Sequence, residues 1–336
     1  MRTTSRRRAA ARAVAAVAAV SLVAACSDGG GGTASNYPDR NITFVVPFSA
    51  GGPTDTVTRM IAEPMAKELG AKIVVQNKEG AGGTVGAGEV ARAKPDGYAV
   101  LMHHIGMSTA PALYKDLGYQ PLESFETVGL VTEVPMTVVA RKDFPPATFQ
   151  DLVTYVKANA GKVTLANAGI GAASHLCGLL FQHAVGVKLQ EVPYQGTGPA
   201  LTDLVGGQVD FMCDQTTNTS GQISAGKVKA YAVTTAERVK SLPDLPTTAE
   251  AGLPQLQVSV WHGLYVPAGS PKEVVQKLSD ALKKALADQG VIDQMAKLGT
   301  APVPAEDATP QAHRAHLDEQ LKTWAKVIAD AGVKAS

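Results

Sequence analysis

No stretch of this 336-residue chain beyond residue 25 is both long and apolar enough to cross a bilayer, which takes about 20 consecutive apolar residues. Nor is there an excess of positive charge. The chain has 31 basic and 30 acidic residues. Arg2, Arg6, Arg7, Arg8 and Arg12 precede residue 26 and no acidic residue does, so the remainder carries 26 basic against 30 acidic residues. A body with that slight negative excess argues against nucleic acid or an anionic membrane surface as partner.

Catalytic and metal motifs are missing too. Gly221 to Lys227 imitates a phosphate loop, but Val228 stands where a Ser or Thr must reach magnesium. Gly80 to Gly86 misses the dinucleotide register and reads instead as the opening of a helix against a sheet. There is no G-x-S-x-G elbow, and the adjacent Ser174 and His175 point apart. His103-His104 and the pair His313 and His316 lack the further ligands a metal requires. No metal and no cofactor is therefore expected, and these histidines read as solvated or ligand-contacting. Asp55 and Arg59, four apart in a helix, read as a surface ion pair.

What is present begins at the N-terminus. Five arginines precede an apolar run, Ala13 to Ala25, that ends in Val23-Ala24-Ala25-Cys26. Residues 1–25 read as an export signal, with a charged head, an apolar middle and a small-residue cleavage site. A cysteine directly after that site is what lipid attachment requires, so Cys26 is the expected lipidation position. The alternative is an ordinary secreted protein with a stray cysteine. Residues 26–36 read as a flexible leash on an extracytoplasmic body. Cys177 and Cys213 then remain as a pair in an oxidising compartment, and a disulfide and two buried free thiols are both compatible with that.

The body alternates short β-type runs with helical patterns, the signature of an α/β fold. Ile42–Pro47, Lys72–Asn77, Tyr98–Met102, Lys162–Asn167, Leu189–Tyr194, Val209–Cys213 and Lys229–Val233 read as strands. Thr148 and Asp151 form a capping box, and Ser270-Pro271 opens another helix with Val274, Val275, Leu278 and Leu282 on one side. A last helix from about Pro310 to Gly332 has a stripe of Leu317, Leu321, Trp324 and Ile328. Pro64 predicts a kink or restart in the helix that begins at Pro53. Residues 126–142 and 257–267 are long β runs with no helix inside, suited to crossing between two lobes. The expected division is 37–138 plus 260–336 for lobe 1 and 139–259 for lobe 2, hinged at those two crossings.

Three strand-to-helix loops are rich in glycine and hydroxyl groups: residues 48–55, 167–174 and 193–198. Such loops let the backbone approach a ligand, and the helix start behind each favours an anion. In open α/β folds ligands sit at these strand ends. One such loop is weak evidence; three in one chain predict an anion-binding cleft between the lobes.

On these loops the chain resembles the solute-binding proteins of the tripartite tricarboxylate transporter family, also called the Bug or TctC family. The likeness rests on VVPFSAGGPTDTVTR, VQNKEGAGGTVGAG, AKPDGYAVLM, ANAGIGAASHL, VPYQGTGPALTDLVGGQVDFM, LPTTAEAGLP and WAKVIADAG, and it runs from about Tyr37 to Gly332. The resemblance implies a two-lobed, periplasmic-binding-protein-like fold that captures a small carboxylate without catalysis. It also implies a permease partner with one large and one small integral subunit. Carried over, the carboxylate-holding positions are Ser49, Ala50, Gly51 and Asp55 in lobe 1. In lobe 2 they are Gly169, Gly171, Ala172 and Ser174, with Tyr194, Gly196 and Thr197 from the next loop. Specificity is expected from His103, His104, Met107, Ser108, Asp214, Gln215, Thr216 and His262, with His104 and His262 tuning binding near neutral pH. His103-His104 and Ala172-Ala173 depart from the family pattern. Cys177 and Cys213 are expected to brace lobe 2 as a disulfide. The expected protein is a monomeric, lipid-anchored receptor. The alternatives are a module presenting ligand to a sensor kinase and an extracytoplasmic hydrolase using Ser174.

Overall fold

The computed structural model describes residues 36–330 and 332. The signal, Cys26 and nearly all of the leash lie outside the described residues. From Pro38 onward the described residues form one unit. In chain order it begins with β1 (Ile42–Val46), α1 (Pro53–Leu69), β2 (Ile73–Asn77), α2 (Thr84–Ala91), β3 (Ala99–His104), α3 (Gly106–Leu113) and β4 (Phe125–Arg141). It continues through α4 (Phe149–Asn159), β5 (Thr164–Asn167), α5 (Ala173–Val185), β6 (Gln190–Pro193), α6 (Thr197–Val205), β7 (Phe211–Gln215), α7 (Thr216–Ser224) and β8 (Val228–Val233). It closes with β9 (Ser259–Pro267), α8 (Lys272–Leu286), α9 (Gln289–Lys297) and α10 (Pro310–Asp330).

The strands follow the path β2-β1-β3-β9-β4-β7-β5-β6, with β8 also on β4. β1 pairs in parallel with β2 and β3, and β5 in parallel with β6 and β7. Central β1, with helices nearby, is almost wholly buried, whereas edge strand β2 is half-exposed along its length. That difference is what an apolar run in a covered parallel sheet requires.

β4 joins the two halves. Its residues from Phe125 to Pro135 pair antiparallel with β9, and those from Met136 to Ala140 pair with β7. Pro135, which has no N–H to give a ladder, stands at the changeover. The return crossing lies just before β9, where Val258 N–H donates to Thr234 O at 3.0 Å. The fold is therefore two-lobed, with β4 and the segment just before β9 running between the halves.

Local signals explain several elements. Both arms of the Thr148–Asp151 capping box are formed, at 3.0 and 3.1 Å. Leu317, Trp324 and Ile328 on α10 are buried, and the helix packs on α3 and β4. Two expectations are corrected. α1 runs without a break through Pro64, its Val57, Ile61, Met65 and Leu69 forming a buried stripe that continues past the proline. His313 is neither solvated nor ligand-contacting. It is fully buried, its ring 4.5 Å from Tyr265 and 6.0 Å from Trp261. Only glycine fits at 263, because a Cβ there would meet His313 at 2.3 Å. Cys177 on α5 and Cys213 on β7 are both buried and joined as a disulfide, with Cα atoms 6.0 Å apart.

Candidate functional site

The loop after β1 is folded by Asp55. Its carboxylate accepts from Gly51 N–H at 2.9 Å, Asn77 Nδ2 at 3.0 Å and Arg59 Nε at 2.9 Å. Burial alone would raise its pKa, but these donors win and hold it below the usual range. Asp55 is 3% exposed, so the pair with Arg59 is buried on one side and braces the loop. Phe48 from the same loop stacks on His104 with ring centres 4.4 Å apart. After β5, Ser174 Oγ accepts from Ala168 N–H at 2.8 Å and Asn167 Oδ1 from Gly169 N–H at 2.9 Å. Gly169 and Gly171 take φ of +94° and +82°, values that favour glycine.

The loops of the two lobes touch directly. Ser49 N–H donates to Gln195 O at 3.1 Å, and Thr109 Oγ1 donates to Gly171 O at 3.0 Å. Between them lies a small cavity of about 10 Å³, lined by residues of both lobes. From lobe 1 come Phe48, Gly52, Pro53, Thr54 and His104; from lobe 2 come Ala168, Ala172, Ala173, Ser174, Thr197, Asp214 and Gln215.

Four helices begin at this wall. The N-cap positions of α1, α5, α6 and α7 are Gly52, Ala172, Gly196 and Gln215, and none uses its side chain to cap. The first-turn N–H groups have no intrahelical partner, and the helix dipoles place positive charge at their starts. No Lys or Arg lines the cavity. The side chain of Asp214 is the one carboxylate in its lining. Among the described residues no cluster suited to a metal ion occurs. A larger recess of about 650 Å³ between α1 and α8 is lined mainly by long charged side chains such as Glu68 and Lys284, which pair with each other. It lacks convergent buried polar groups.

The model of the tripartite tricarboxylate transporter family receptor matches residues 57–333. The chain belongs to this family. A UPF0065 protein of Agrobacterium vitis is 52% identical to this receptor over 297 residues, 88% of this chain and 86% of the relative. The periplasmic binding protein BugD is 54% identical with a TM-score of 0.88, over 89% of this receptor and all of BugD (100%). MatC from Rhodopseudomonas palustris, solved with bound malate, is 42% identical with a TM-score of 0.85, over 87% of this receptor and 100% of MatC.

Within the receptor, the cavity gathers His104, Ala172, Ser174, Thr197, Asp214 and Gln215 from the residues singled out by sequence. Ser49 is buried beside it, facing Gly196, where a Cβ would meet Ser49 Oγ at 2.0 Å. Others stand elsewhere. Ala50 and Gly51 are exposed, and Asp55 lies one layer behind. Tyr194 turns its hydroxyl to Asp203 at 2.7 Å, and Ser108 donates to Ile105 O at 2.7 Å. Gly169 and Gly171 shape the loop, and Thr109 binds the latter's carbonyl. His103 and Met107 are buried but do not line the cavity, nor does Thr216. His262 is fully buried behind His104 and meets Thr54 Oγ1 at 3.3 Å. Sequence reasoning missed Phe48, Gly52, Pro53, Thr54, Ala168 and Ala173 as lining residues, although their loops were flagged. The signal was Pro53, which marks the first helical turn and so the free N–H groups.

The expected pH tuning does not survive. Burial, with His103 and His262 nearby, pushes His104 well below its ordinary pKa, and burial pushes His262 down to about 3. Both rings are neutral at physiological pH. His175 also has no free nitrogen for Ser174. Its Nδ1 accepts from Gly171 N–H at 3.3 Å and its Nε2 faces Glu191 at 3.5 Å.

Proposed function

We propose that this receptor captures a small carboxylate between its lobes and hands it to an integral-membrane permease of the tripartite type. The four uncapped helix N-termini converging on one buried cavity carry this reading, supported by malate in MatC. The hinge lies at the two crossings, dividing the chain into 37–138 plus 260–336 and 139–259. Ligand bridging both lobes shifts the population toward the closed form. Residues 1–25 direct export and Cys26 carries the lipid, so the body works as a monomer outside the cytoplasm, tethered by its leash. The role is capture without catalysis, since neither nitrogen of His175 is available to activate Ser174. A transporter-receptor family favours delivery to a permease over presentation to a sensor kinase.

The test is a thermal-shift screen of the protein lacking residues 1–35 against mono-, di- and tricarboxylates, aromatic acids and amides. A ligand at 100 times its Kd adds about 2.7 kcal/mol, a rise in Tm of about 4 °C for a body of this length. A reproducible rise with an acid is the expected result. Shifts confined to neutral compounds would overturn the anion reading.

A further inference from the structure

One wall of the anion-favouring cavity is itself a carboxylate. Asp214 is the next-to-last residue of β7 and is 0% exposed. Its Oδ2 accepts from Asn218 Nδ2 at 2.5 Å, while Oδ1, equally buried, has no partner in the protein. No Lys or Arg lines the cavity to balance it. A buried acceptor without a donor is costly, and a buried carboxylate without a counter-charge more so.

Another part of the wall carries the complementary property. Gly106 N–H donates to His104 Nδ1 at 2.9 Å, so Nδ1 holds no proton and the neutral ring carries it on Nε2. The His104 ring lines the cavity. Together with the helix starts, it forms a set of N–H donors, and Asp214 is the fixed acceptor that answers them.

We infer that the ligand is a carboxylate bearing a hydrogen-bond-donating substituent, an O–H or N–H, which Asp214 reads through Oδ1. This rests on the proposed carboxylate-capture function and names which carboxylates qualify. An unsubstituted acid leaves Oδ1 buried and unpaired. A second bare carboxylate set against Asp214 adds like-charge repulsion. The donor can be a hydroxyl or a protonated amine; a protonated amine also supplies the missing counter-charge.

Calorimetric titration of the protein lacking residues 1–35 tests this with matched acids. The sets are succinate, malate and aspartate; glutarate, 2-hydroxyglutarate and glutamate; and propionate, lactate and alanine. In at least one set a substituted acid is expected to bind at least tenfold tighter than its unsubstituted partner. Asp214→Asn distinguishes the two donors. The amide keeps a carbonyl acceptor, so it changes hydroxy-acid binding a few-fold and lowers amino-acid binding more than tenfold. A thermal melt confirms that the variant folds, and the wild-type series decides the question even if it does not. Unsubstituted acids binding as tightly as their partners would overturn this inference and leave carboxylate capture standing. Binding by none of the acids, with shifts only from neutral compounds in the screen above, would overturn both.

Discussion

Asp214 bears on stability as well as recognition. Burial raises its pKa to about 6, partly offset by the hydrogen bond from Asn218. The folded protein therefore prefers the protonated acid. That preference contributes stability in full below the unfolded value near 3.8 and is lost as pH rises through about 6. At pH 7.5 the ionised, ligand-free group costs on the order of 2–3 kcal/mol. Asp214→Asn is expected to raise the Tm of ligand-free protein by several degrees at pH 7.5, with the gain fading toward pH 4. Melting curves across that range check it; no gain at pH 7.5 would refute it. The buried histidines act oppositely. Burial lowers His103 to about 4 and His262 and His313 to about 3. The unfolded chain then binds protons that the fold refuses, so stability is present above about 6.5 and lost as pH falls toward 3–4. Tm should decline through that window, while ligand affinity between pH 6 and 8 shows no imidazole titration.

Loops and helix ends decide closure. The loop before α2 forms a 3₁₀ turn at Ala81–Gly83, with Gly82 at φ +62°. A Cβ at Gly82 would lie 1.7 Å from Ile170 O of the opposite lobe. Tyr114 OH sits within 2.8 Å of Ala81 O and 2.6 Å of Ile170 O, bridging the same two loops. These contacts form a clasp at the edge of the site. Gly82→Ala adds both a steric block and a strained backbone, and is expected to weaken ligand binding at least tenfold while the protein stays folded. Tyr114→Phe removes one hydroxyl worth about 1 kcal/mol, so binding should weaken roughly fivefold, chiefly through faster release. Titration and stopped-flow release measure both; wild-type affinity in each variant would refute the clasp.

Across the whole molecule, the Cys177–Cys213 bond ties α5 to β7, closing a sequence separation of 36 residues. A loop of that length contributes about 4 kcal/mol in the chain-entropy account. Reduction should lower Tm by several degrees without abolishing binding, because neither cysteine lines the cavity. An unchanged Tm in reductant would show that the bond is absent or inconsequential. Lipid attachment at Cys26 is tested separately: the native chain is expected to sediment with membranes after export, and Cys26→Ala to stay soluble.

Much was legible along the chain because it depends on neighbours in sequence. Thr148 and Asp151 announce a helix start by local hydrogen bonding, the β1 run announces a covered strand, and the glycine loops announce close backbone approach. Pro64 misled because a buried stripe on both sides of it outweighed one lost hydrogen bond. Asp55, Ala50 and Gly51 do not line the cavity, because loop membership does not say which side of a turn faces inward. His104 and His262 looked titratable because a pKa depends on burial, which is settled by packing from distant segments. The sequence by itself determined the alternation of elements, the two crossing strands and the loops that approach a ligand. Only the tertiary structure decided that four helix starts share one cavity, that Asp214 faces it without a counter-charge, and that Gly82 meets Ile170. Those facts join residues dozens to more than a hundred positions apart, brought together by sheet pairing and lobe closure.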